Sequence, residues 1–192
     1  MSVLPAEPAE RHRAVAGHFS EVVRGTSDWD APSPVREWVA RDVVRHLVEW
    51  LPGFLASGSD VRLPAGPSPD EDPVAAWQHH ADAVQAVLDD PGTAGQSFMN
   101  RHTGEHPLDR AIDRFYTSDV FMHTWDLARA SGQEPGLDPQ TCTEMLAGMQ
   151  PLDDVLRASG QYGPKVEVPE DLPAQDRLMA FVGRDPAWRP RG

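Results

Sequence analysis

Within the run DVFMHTWDLARA, from Asp119 to Ala130, a carboxylate and an imidazole stand four residues apart among apolar neighbours. At roughly 100° per residue, Asp119 and His123 fall on one side of a helix with Ile112, Phe115, Tyr116, Met122, Leu127 and Ala130, the side that normally meets a core. The same construction sets His46 between Val39, Val43 and Trp50 on an earlier segment. An isolated ionised carboxylate in an apolar interior is strongly disfavoured, so Asp119 must be paired, hydrogen-bonded or bound to a cation. Two arrangements satisfy it. One is a buried hydrogen-bond cluster of two histidines and an aspartate that fixes helix register. The other is a divalent metal held by His46, Asp119 and His123. In that case residues at i and i+4 aim at one point, a facing helix gives the third donor, and a position stays open for water or substrate. The pattern by itself leaves both open.

Other polar residues have competing meanings. Asp42 and Asp126 each lie one turn from a proposed donor, where a carboxylate could accept the second ring N–H of a histidine; a surface ion pair with Arg45 or Arg129 explains them equally well. His102 and His106 in RHTGEHP have a metal-like spacing but sit beside Gly and Pro with no strong apolar frame, which reads as solvated loop. His79 and His80 point about 100° apart on a helix and cannot easily share an ion, so one should face the core and the other water. Trp125 and Arg129 read as a packing aromatic and a surface cation, although Arg129 could also draw an anionic substrate. The sole cysteine, Cys142, excludes an internal disulfide and reads as a packed small residue rather than a nucleophile.

These side chains need helices to carry them. Nineteen prolines and fifteen glycines punctuate the chain, and the segments between them show helical rather than β periodicity. Helices are expected over about residues 5–24, from about Trp38 to Phe54 with Pro52 kinking or ending the second, and over 73–90 and 108–131. A fifth helix, 139–158, should break at Pro151, and a last short one covers 174–182, with Leu178, Phe181 and Trp188 packing on the rest. The stretches Gly58–Pro69 and Gly92–Pro107 read as long connections; as loops of this length often carry function, they are expected to border any open site.

Composition narrows the partners. With 192 residues, 40% of them hydrophobic, the chain can bury one proper core and fits a single domain over 1–192. Lys plus Arg number 17 against 30 Asp plus Glu, a formal charge of −13 that repels both nucleic-acid phosphates and anionic lipid. No signal-peptide pattern and no apolar run of about 18 residues is present, so a cytoplasmic protein without membrane contact is expected.

Three segments, VREWVARDVVRHLVEW, SDVFMHTWDLARASG and PAQDRLMAFVGRDPAW, resemble actinobacterial proteins related to the metal-binding N-terminal domain of mycothiol-dependent maleylpyruvate isomerase, in the DinB/YfiT-like superfamily. The resemblance spans nearly the whole chain. It implies an all-α, up-and-down four-helix bundle with a short C-terminal helical segment. It further implies a divalent metal, zinc ahead of nickel, on His46, Asp119 and His123, and mycothiol as a thiol cosubstrate. Two departures qualify it. The superfamily carboxylate is often glutamate, where this chain has Asp119. The isomerase also has a further C-terminal domain that contributes to its thiol site, whereas this chain stops soon after the bundle, so isomerase activity is not implied. The leading expectation is a metal-dependent thiol S-transferase acting on a small electrophile, monomeric or homodimeric. The alternatives are a non-catalytic metal-binding or accessory protein and a metal-dependent hydrolase.

Overall fold

A computed structural model describes residues 4–190, and they fold into a mainly α-helical protein with one two-stranded sheet. Helices α1 (Pro8–Gly25), α2 (Ala40–Gly58) and α3 (Pro73–Asp89) come first, followed by the single turn α4 (Pro91–Ala94) and a hairpin of β1 (Ser97–Asn100) with β2 (Gly104–Pro107). The short α5 (Leu108–Ala111), a π-helical stretch (Ile112–Thr117) and α6 (Ser118–Ala130) join with helical dihedrals into one rod. The chain closes with α7 (Pro139–Met149), a 3-10 turn (Gln150–Leu152), α8 (Asp153–Ala158) and α9 (Ala174–Phe181), so the fifth expected helix breaks beside Pro151.

Local chemistry sets the starts. The Asp-Pro pairs at 72–73 and 138–139 each supply a carboxylate that accepts a free backbone N–H of the first turn, from Ala75 and Thr141, and a proline whose missing N–H costs nothing there. Helix α2 continues past Pro52 to Gly58, so Pro52 does not end it. An interior proline costs about 3 kcal/mol. Leu51 and Leu55 are fully buried and Phe54 packs on the core, and each such side chain offsets about 1.5–3 kcal/mol of that cost.

Helix α1 packs on α3 and α6, and α2 packs on the same two, so the long helices enclose one core centred on Phe19, Leu47, Trp77, Ile112 and Trp125. Two expectations need correction. The connection at 92–107 contains a hairpin: Phe98 is its one buried strand residue, lying 4.6 Å from the Phe54 ring and so close to Gly58 that a Cβ there would sit 2.7 Å from it. And α6 is not a one-sided amphipathic helix: every residue from Val120 to Ala128 is buried, because the chain around α9 closes over the side that α1 and α2 leave free. Leu178 and Phe181 join the core as expected, whereas Trp188 stays half-buried outside it.

Candidate metal centre

His46 comes from α2, where Val43, Leu47 and Leu51 hold the apolar face against α6. Asp119 and His123 come from the first two turns of α6, just after the π-helical stretch, in which Ser118 N–H reaches back five residues to Asp113 C=O. One donor atom from each of the three side chains lies within 4.8 Å of the other two. His46 Nε2 is 3.0 Å from Asp119 Oδ2, and His123 Nε2 is 3.5 Å from Asp119 Oδ1. A tetrahedral ion with bonds of about 2.0–2.1 Å holds its ligand atoms about 3.3 Å apart, so two neutral imidazoles and one carboxylate at this spacing form a donor set that could take a divalent metal.

The surroundings orient the donors. Trp50 Nε1–H donates to Asp119 Oδ2 at 3.0 Å, and His123 Nδ1–H donates to Asp126 Oδ2 at 2.9 Å, which leaves His123 Nε2 turned toward Asp119. Asp126 is wholly buried and in turn accepts a fork from Arg184, Nε to Oδ1 and Nη2 to Oδ2, both at 3.0 Å. The Trp38 ring stacks over His123 at 5.8 Å and 19° and sits 5.2 Å from His46. Burial opposes the charge on Asp119, but His123, His46 and the Trp50 N–H outweigh it and hold its carboxyl below the ordinary range. Burial likewise opposes a charge on His123, and the carboxylates of Asp119 and Asp126 override it and raise the imidazole. The site is open on one side: the His46 and Asp119 side chains keep 32% and 21% of their exposure, against 8% for His123.

Of the remaining sequence candidates, Asp126 takes the histidine-orienting role, and its cation is Arg184 rather than Arg129, whose guanidinium lies 5.4 Å over the Trp125 ring. Asp42 takes the other role: it accepts from Val39 N–H at 2.8 Å at the start of α2 and pairs with Arg45. His102 and His106 stay in the hairpin, where His106 Nε2–H donates to Thr103 C=O at 2.8 Å. His80 faces the core and His79 lies outside it, 3.4 Å from Pro64 C=O. Cys142 is fully buried, which together with Asp138 pushes its thiol up to about 12. Residues of both loops expected to border the site come together elsewhere. Gly58, Asp60, Gln96 and Met99 line a separate hollow of about 410 Å³, and a cavity of about 530 Å³ lies at His18, Phe121 and Asp138; none of the three donors lines either. Trp38 and Trp50 stand beside the donors, and the Tyr162 phenol is raised by burial and by the Asp119 charge. Arg184, 58 residues from Asp126, could not be paired with it from periodicity; its only sequence signal was the closing Gly-Arg-Asp-Pro.

A helical protein with two histidines and a carboxylate from two packed helices, open on one side, defines a class of candidate small-molecule metal proteins. Residues 10–128 match the family described as the mycothiol maleylpyruvate isomerase N-terminal domain, and the chain belongs to that family. It is also similar to two uncharacterized proteins of Mycobacterium tuberculosis, MT0763 of strain CDC 1551 / Oshkosh and Rv0738 of strain ATCC 25618 / H37Rv. Each is 33% identical over 185 residues, covering 93% of this chain and 98% of the relative. No solved structure matches the chain.

Proposed function

We propose that this chain is a divalent-metal protein of the thiol S-transferase kind, with His46, Asp119 and His123 as the metal ligands and a low-molecular-weight thiol as cosubstrate. The reading takes α1, α2, α3 and α5–α6 as an up-and-down four-helix bundle within a single domain, supported by the closed ring of contacts among them. The observation that carries the metal assignment is the geometry at His123. Its Nδ1–H is already engaged by Asp126, and its Nε2 stands 3.5 Å from Asp119, beyond the usual hydrogen-bond range of about 2.7–3.2 Å yet close to the spacing an ion imposes. With its proton on Nδ1, the bare Nε2 of His123 faces a carboxylate oxygen, two acceptors that a cation between them would join.

When bound, a divalent ion supplies positive charge that acidifies a thiol beside it, so that nucleophilic sulfur is available near neutral pH without a protein cysteine. The chain does the rest. His46 and His123 present neutral nitrogens, Asp119 supplies the one negative ligand, and Trp50 fixes the carboxylate plane. Asp126 keeps a proton on Nδ1 of His123, and Trp38 shields that ring from water. The exposed edges of His46 and Asp119 leave an approach for small molecules, which favours this reading over a sealed metal-binding site without turnover. Family membership supports mycothiol as the thiol; a donor set of two imidazoles and one carboxylate suits zinc, and we place the protein in the cytoplasm.

Elemental analysis of freshly purified protein, followed by calorimetric titration with mycothiol and a thiol-transfer screen against small electrophiles, tests the reading. One equivalent of divalent metal and metal-dependent thiol binding are expected. Metal without thiol binding would leave the non-catalytic alternative standing, and no metal would refute the centre.

A further inference from the structure

We propose that Arg184 is a positioning residue of this centre, acting on His123 through Asp126, so that the C-terminal segment completes a site whose three donors lie far earlier in the chain. The inference rests on the metal reading above. Asp126 has no exposed surface, and a carboxylate so placed needs compensating donors on both oxygens. Arg184 supplies one to each oxygen, and His123 adds a third to Oδ2. A planar guanidinium bonded in this two-point manner sets the plane of the carboxylate as well as its place. Because the His123 bond arrives at an oxygen Arg184 also holds, the fork fixes which way the imidazole turns and which nitrogen faces Asp119.

Arg184 is itself pinned. Its N–H donates to Met179 C=O at 2.8 Å, closing α9. The preceding Gly183 has φ +92° and passes Gly163 so closely that an added Cβ would stand 3.0 Å from that backbone, so only glycine delivers Arg184 along this path. Arg157 ties the crossing from the other side, donating to Gly163 C=O and Phe181 C=O. The family match ends at residue 128, so neither Arg184 nor its supports fall within the matched span.

The test uses metal-free full-length protein titrated with Zn²⁺ against a chromophoric chelator, for wild type, Arg184→Met, Arg184→Lys and Arg157→Met. Wild type should bind one equivalent. Arg184→Met should weaken binding about 10–100-fold, the usual effect of losing a group that orients a metal-bound histidine. Arg184→Lys, which keeps the charge but not the fork, should fall between. Arg157→Met loosens the same tail without touching Asp126 and should weaken binding less than either Arg184 variant. ¹⁵N spectra of metal-free His123 should show the Nδ1–H form in wild type and a mixture in Arg184→Lys, a readout that general loosening does not move. Unchanged affinity and tautomer in folded Arg184→Lys would overturn the proposal while leaving the metal reading intact. Equal weakening in Arg157→Met would reduce Arg184 to a structural strut. Absence of zinc binding in wild type would refute the metal reading, and this proposal with it.

Discussion

Asp119 is the point at which the candidate centre is most exposed to substitution, because one carboxylate serves His46, His123 and Trp50 at once. His46→Ala removes the only donor from α2 and should abolish stoichiometric zinc while the helical circular dichroism is retained, since alanine is the best helix former. Asp119→Asn keeps the shape and deletes the only anionic member of the proposed ligand set, so zinc affinity should fall steeply in the same titration. Trp50→Phe isolates a smaller effect: a hydrogen bond to a charged group contributes about 1.5–3 kcal/mol, which predicts zinc binding weakened about tenfold or more. A change under twofold would mean that Trp50 only packs. The three donors were legible in the sequence because a carboxylate or imidazole inside an apolar stripe is conspicuous. Trp38 was not, since it lies before α2 and reaches His123 across space rather than along a helix.

At the scale of elements, the long helices were legible because each has a turn-length apolar repeat between proline or glycine signals. The hairpin was not: each strand has four residues, and only Phe98 turns inward, too few to make an alternation. Its weight rests on that ring. Phe98→Ala should cost about 3–5 kcal/mol, read as a fall in denaturation midpoint with little change in helical signal. The rod of α5 and α6 hides a second feature. His12 on α1 and His80 on α3 flank Tyr116 of the π-helical stretch, their ring centroids 5.8 and 5.7 Å from it. Burial, with the charges of neighbouring His80 and His79 respectively, lowers these imidazoles from 6.5 to about 3 and about 4. The unfolded chain then binds more protons between those limits, so stability present above pH 6.5 is lost as the pH falls. Between pH 7.5 and pH 5 each imidazole should remove about 2 kcal/mol. His80→Gln should flatten that slope by about half in metal-free protein melted across the range.

At the scale of the whole molecule, α6 is enclosed because the C-terminal segment covers it; the packing of Leu178 and Phe181 was legible in the sequence, the pairing of Arg184 with Asp126 was not. Truncation after Gly163 removes Leu178, Met179, Phe181 and Val182 from the core, all nearly or fully buried. At about 1.5–3 kcal/mol for each large side chain, the loss should reach several kcal/mol. A domain of this size loses about 2–4 °C of melting temperature per kcal/mol, so an unchanged melting temperature would rule the packing out. The fork from Arg184 to Asp126 also puts an order on the life of the chain. Ribosomes add residues at about 5–20 per second, so on the order of ten seconds separate the appearance of His46 from that of Arg184. Throughout that interval the nascent protein carries the proposed donors without the clasp that aims one of them. If the proposed centre holds zinc, its tight binding waits for Arg184, and a chain terminated before that residue should hold zinc about 10–100-fold more weakly.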